Sequence, residues 1–218
     1  ALDQLIKISE GFNLFVTPDT GPMHLAAWTG VRVLNLSMGP VNPWETGPYN
    51  PGHLVARARI SCTGCWECPN PDLPCHDAFS PGRIAVLIHQ LLRSKVGDEF
   101  QFASAAGLEL MRTGRENGLY HLESSQPTYR SARTSLDKLW HEFFFWHLGP
   151  RKISQARKAA KALVQDHPNI HEALKKHTAQ LLGDIAKELK PGTVPEENLW
   201  SKHPPLLRPM ASLAQLVL

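Results

Sequence analysis

The sequence has no apolar run of 18 residues, so no segment has the continuity of a membrane-spanning helix. It also lacks any long run of one charge sign. Its 23 Lys and Arg against 20 Asp and Glu leave a net charge of only +3, which excludes a nucleic-acid binder driven by bulk charge. Charged residues are 20% of the chain and apolar residues 42%, which excludes a disordered, highly charged chain. Scattered cysteines are missing too. The four present all lie between Cys62 and Cys75, so there is no framework of long-range disulfides. The first ten residues carry neither an initiator Met nor a signal-peptide pattern, and they read as the middle of an amphipathic helix. We therefore expect these 218 residues to be a piece of a longer protein.

What is present points to a chain of one to two domains with a substantial core. Cys62, Cys65, Cys68 and Cys75 follow the spacing C-x2-C-x2-C-x6-C. Three readings stay open: a structural metal, zinc foremost; a reduced or locally disulfide-linked loop; an iron-sulfur cluster. The middle gap is tighter than in a zinc ribbon, whose two CxxC knuckles are widely separated. Prolines concentrate between Pro40 and Pro81, so that span reads as ordered loop.

Hydrophobic periodicity predicts a helix over 2–9, with Leu2, Leu5, Ile6 and Ile8 near one face and Gly11 as its stop. Residues 12–17 and 31–36 read as buried strands. Between them Thr20 suits an N-cap, Pro22 a first helical turn and Gly30 a stop. Strand, helix and strand in that order form a βαβ unit, so a parallel sheet is expected. A loop follows from Ser37 to about Gly52, then a third strand over 54–60, the cysteine loop, and a helix starting at Ser80-Pro81-Gly82. Strands are expected over 100–106 and 108–111, and Asn117-Gly118 signals a hairpin before residues 119–122. Helices are expected over 131–148, 151–165 and 169–190, with a short apolar helix over 206–218. Residues 151–190 hold nine Lys and Arg against four Asp and Glu. The expected organisation is an α/β domain over 1–95, built on a Rossmann-like parallel sheet, and a mainly helical extension over 96–218 with a β-hairpin. Trp140, Phe143, Phe144, Phe145 and Trp146 crowd one helix of that extension, which fits core packing or contact with a membrane surface or another protein.

In open α/β sheets, ligands bind beyond the carboxyl ends of the strands. Two loops qualify, 17–24 and 37–47. The first runs straight into a helix N-terminus, whose free N–H groups and partial positive charge suit a phosphate. Thr20, Gly21 and Met23 each carry an N–H there, and Pro22 does not. Gly21 permits close approach. Asp19 suits sugar hydroxyls better than phosphate, and His24 lies one turn into the helix. Helix capping alone also accounts for an Asp-Thr pair at this position.

Val16-Thr-Pro-Asp-Thr-Gly-Pro-Met-His-Leu-Ala-Ala27 resembles the signature of glycosyltransferase family 9, the ADP-heptose:lipopolysaccharide heptosyltransferases. Gly30-Val-Arg-Val-Leu34, Gly39-Pro40, Pro43, Gly47-Pro48 and the cysteine-bearing loop are similar as well, so the likeness covers about residues 1–95. It implies the C-terminal half of a GT-B fold, the half that binds a nucleotide-sugar donor. Asp19 would contact the donor sugar, the amides of Thr20, Gly21 and Met23 the diphosphate, with His24 in the same pocket and Gly39 and Pro40 in the adjoining loop. The implied reaction is an inverting, metal-independent transfer to a glycan or lipid-linked acceptor, in the cytoplasm or at the inner face of the inner membrane. No cofactor is required for it, and no nucleic acid takes part. The family's acidic general base and its phosphate-neutralising Lys lie in segments with no counterpart here, so the piece alone is expected to be inactive. Residues after about 96 have no counterpart in the resemblance, and their role as a peripheral-membrane or self-association element is an expectation only. A non-catalytic module braced by metal at the four cysteines is the alternative.

Overall fold

The computed structural model describes residues 2–39, 41–60, 70–93, 107–124 and 131–188. The expected strand over 100–106, the helix over 206–218, Pro40 and three of the four cysteines fall outside those residues. The chain divides into two compact units, 1–141 and 142–218.

The first unit is built on one five-stranded sheet of order β1-β2-β3-β4-β5. Its strands are β1 (Phe15–Pro18), β2 (Val33–Leu36), β3 (Leu54–Ala58), β4 (Leu108–Glu116) and β5 (Leu119–Ser124). β1, β2 and β3 are parallel, with Thr17 beside Asn35 and Asn35 beside Val55. β3 pairs antiparallel with β4, setting Arg57 opposite Glu109, and β4 pairs antiparallel with β5. The hairpin expected inside a separate helical extension is thus the far side of the same sheet. Its turn is made by Asn117 and Gly118, both at positive φ, as an Asn-Gly hairpin turn requires.

Alternation along the strands sorts the two faces. Leu34, Leu54, Ala56, Ala58, Leu108 and Leu110 point to one face. There they pack on Ile84, Leu87 and Leu91 of a helix over Pro81–Arg93. On the other face, Val33 packs with Met23, Ala26 and Ala27 of the helix over Gly21–Trp28. Val55, Met111, Tyr120 and Leu122 pack around Trp44 on that same side.

In chain order the helices of this unit are α1 (Leu2–Ser9), α2 (Gly21–Trp28), α3 (Pro43–Thr46), α4 (Pro74–Asp77), α5 (Pro81–Arg93) and the first part of α6 (Ala132–His147). α3 and α4 lie where sequence patterning predicted loop. Each begins at a proline, which fits a first helical turn because that N–H is unused there anyway. Asn42 caps α3 by accepting from the Trp44 N–H at 3.0 Å, while its Nδ2 donates to Glu45 at 2.9 Å.

The second unit contains the end of α6, α7 (Ile153–Asp166) and α8 (Pro168–Glu188). Phe143 stacks on His147 and meets Phe144 and Trp146 edge-on, so the aromatic crowd is half-buried against itself. Glu142 and Arg151 form a buried ion pair, and the Arg151 guanidinium lies 5.3 Å from the Phe145 ring. Ala156 and Leu163 are the buried residues of α7. No described helix is long and apolar enough to cross a membrane.

Candidate functional site

At the carboxyl ends of the three parallel strands, β1 passes through Asp19 and Thr20 directly into α2, and β2 leaves through Ser37 and Gly39 toward α3. Both sequence-selected loops therefore emerge on one edge of the sheet. Thr20 occupies the N-cap of α2 in extended conformation, φ −151° and ψ 165°, and its side chain makes no capping bond. Its hydroxyl instead lies 3.3 Å from that of Thr17 and 3.4 Å from the Pro18 carbonyl. The first turn of α2 holds no acidic residue, so its positive end is not neutralised from within the helix.

The Met23 amide donates to the Thr20 carbonyl at 3.0 Å, and the Met23 side chain is fully buried against Ala26, Ala27 and Val33. Met23 is thus a core residue whose amide is occupied. Thr20 and Gly21 remain as the amides at this end that the helix itself does not use. A Cβ placed on Gly21 meets nothing within 4 Å, so the space in front of the helix start is open. His24 is exposed on α2. Gly39 has φ +76°, a conformation that favours glycine, and open space around it.

Asp19 is half-buried, and its Oδ2 accepts from the Thr46 hydroxyl at 2.9 Å. Thr46 ends α3, so the second loop fixes the carboxylate that opens the first. Tyr120 closes the same corner. Its hydroxyl donates to the Pro43 carbonyl at 3.0 Å, and burial, helped by the nearby Asp19 charge, pushes its ionisation well above the ordinary tyrosine range. Gly47 completes the turn after α3. A Cβ there would lie 2.1 Å from the Tyr120 hydroxyl and 2.6 Å from the Pro43 carbonyl.

Beneath the edge sits a buried charged group. Arg57, 3% exposed, donates from Nη1 to the Val41 carbonyl at 2.8 Å and the Ser37 hydroxyl at 3.2 Å. Burial lowers its pKa, and the negative charges of Asp137 and Glu109 oppose that shift. Burial likewise raises Glu109, which accepts from the Ser124 hydroxyl at 2.8 Å. Asp137 is pushed up to about 6 by burial despite the attraction of Arg133 and Arg57. His53, below the apolar part of this face, is pushed down to about 4 by burial, and its Nδ1 accepts from the Val33 N–H at 3.2 Å. The ring is therefore neutral, with its proton on Nε2.

Of the sequence-selected residues, Asp19, Thr20 and Gly21 stand together at the edge. Thr46, Tyr120 and Arg57 were not selected. An Asn-Pro-x-Glu capping pattern at 42–45 marks the start of α3, but no local signal ties Thr46 to Asp19 or Tyr120 to Pro43. Cys75 is half-buried in α4 and packs on the core of the α5 face. Its three companions lie outside the described residues, and no metal-binding cluster occurs among the described residues.

No curated protein and no solved structure matches the chain. A family model does match, and its span includes β1, α2, β2, α3 and β3. It thus takes in the Asp19–Gly21 corner, Arg57 and Thr46, and stops before the hairpin that supplies Tyr120. Residues 1–76 of the chain match the model of glycosyltransferase family 9 (heptosyltransferase).

Proposed function

We propose that residues 1–76 form the donor-binding corner of a glycosyltransferase that takes its sugar from a nucleoside diphosphate. The observation that carries this reading is the adjacency of two unlike groups at one strand-to-helix junction. The first turn of α2, which holds no acidic residue, suits a diphosphate, and the Thr46-anchored carboxylate of Asp19 just before it suits sugar hydroxyls. The open approach at Gly21 leaves room for the ligand.

The chemistry is displacement at the anomeric carbon with inversion. The acceptor oxygen forms the new bond as the bond to the diphosphate oxygen breaks, and that oxygen takes the electron pair. Negative charge grows on the leaving diphosphate through the transition state. Amides aimed at it from Thr20 and Gly21 therefore stabilise the transition state more than the ground state. Asp19 orients the sugar and faces the positive character that develops on the ring. Acceptor deprotonation is assigned to no residue of this chain, so the chain by itself binds donor without turning it over. The sugar is a heptose or a relative of it, and the acceptor a lipopolysaccharide or other glycan.

Asp19→Asn tests the division of labour, because an amide oxygen still accepts from Thr46. It is expected to weaken binding of the nucleoside diphosphate sugar about tenfold while leaving the nucleoside diphosphate itself nearly unchanged. Equal losses for the two ligands would remove Asp19 from the sugar.

A further inference from the structure

Two buried side chains connect the donor corner to parts of the molecule beyond the family segment. Arg57 bridges the ends of the second loop, with Ser37 on one side of Gly39 and Val41 on the other. On β3 it stands opposite Glu109 of β4 across the antiparallel ladder. Tyr120 of β5, 7% exposed, holds the first residue of α3 by its carbonyl. The last residue of α3 then holds Asp19. Glu109 and Tyr120 both lie after residue 76, where the family match ends.

We infer that Arg57 and Tyr120 are positioning residues through which β3 and the β4–β5 hairpin brace Ser37, Val41 and α3, and through Thr46 hold Asp19 in place. The planar guanidinium of Arg57 reaches two acceptors in fixed directions, which a lysine ammonium in the same cavity cannot reproduce. Without its hydroxyl, Tyr120 would no longer tie the Pro43 carbonyl to β5, leaving that carbonyl only the Gly47 N–H at 3.2 Å from within α3's own turn. The consequence for ligand affinity rests on the donor reading of the corner; the consequence for the loop does not.

The test pairs amide hydrogen exchange with calorimetry on the whole chain, comparing wild type, Arg57→Lys and Tyr120→Phe. Leu87→Ala, which opens a cavity against the opposite face of the sheet, controls for lost stability alone. Expected are exchange about tenfold faster at the amides of 41–47 in both variants, with α5 unchanged, and ADP-sugar binding weakened by about the same factor. Leu87→Ala should move neither the 41–47 exchange nor the affinity. Exchange at 41–47 within about twofold of wild type in Tyr120→Phe overturns the brace, as does unchanged affinity alongside faster exchange. If Arg57→Lys does not fold, Tyr120→Phe decides. Failure of wild type to bind any nucleotide sugar would count against the donor reading, and the exchange result would still judge the brace.

Discussion

Gly47 is the residue with the least freedom in the candidate site. A methyl group there would overlap the Tyr120 hydroxyl and the Pro43 carbonyl, neither of which can retreat without breaking the bond between them. Gly47→Ala is expected to cost about 3 kcal/mol. Adding Tyr120→Phe should return part of that loss, because the hydroxyl oxygen is the nearest obstacle. Strict additivity of the two changes in chemical denaturation would refute this packing account. Gly21 is the opposite case, since a Cβ there meets nothing within 4 Å. The sequence distinguished these two glycines only in part. Gly21 was legible from its place before a helix, whereas the constraint on Gly47 comes from a tyrosine 73 positions later and is invisible to local pattern.

Among the elements, the legible ones carry their own signals. β1, α2 and β2 follow from an apolar run, an N-cap with proline and a second apolar run. The hairpin follows from Asn117-Gly118. α3 and α4 were hidden because proline density reads as loop, although proline at a first helical position also starts helices. The hairpin's pairing partner was not legible. β4 is long and carries Glu109, Met111, Thr113 and Arg115 on one face, a mixed pattern that does not name a partner, and the antiparallel register sets Glu109 opposite Arg57. The consequence is that the sheet reaches residue 124, well beyond the segment that resembles a known family.

At the scale of the whole molecule, two buried groups make stability respond to pH in opposite senses. His53 has a folded pKa of about 4 against an ordinary 6.5, so the unfolded chain takes up its proton first and stability falls as pH drops from 6.5 toward 4. Asp137 has a folded pKa of about 6 against an ordinary 3.8, so its contribution is fully present below 3.8 and is lost as pH rises through 6. Acidification between those limits therefore costs through one group and gains through the other. Asp137→Asn removes the gain. The variant should lose stability more steeply than wild type between pH 6.5 and 4, read from denaturation midpoints across that range. An equal or shallower slope would show that Asp137 is not held in its buried, proton-binding state.

The central claim is that a nucleoside diphosphate sugar seats its diphosphate on the start of α2. Calorimetric titration of ADP-sugar into wild type and Gly21→Val reads it most directly. A Cβ at this position meets nothing within 4 Å, and the valine side chain would fill the open space that the ligand is proposed to occupy. The account predicts saturable one-to-one binding by wild type and a loss of about a hundredfold or more in Gly21→Val, with thermal stability nearly unchanged. Equal binding by the two proteins would contradict it.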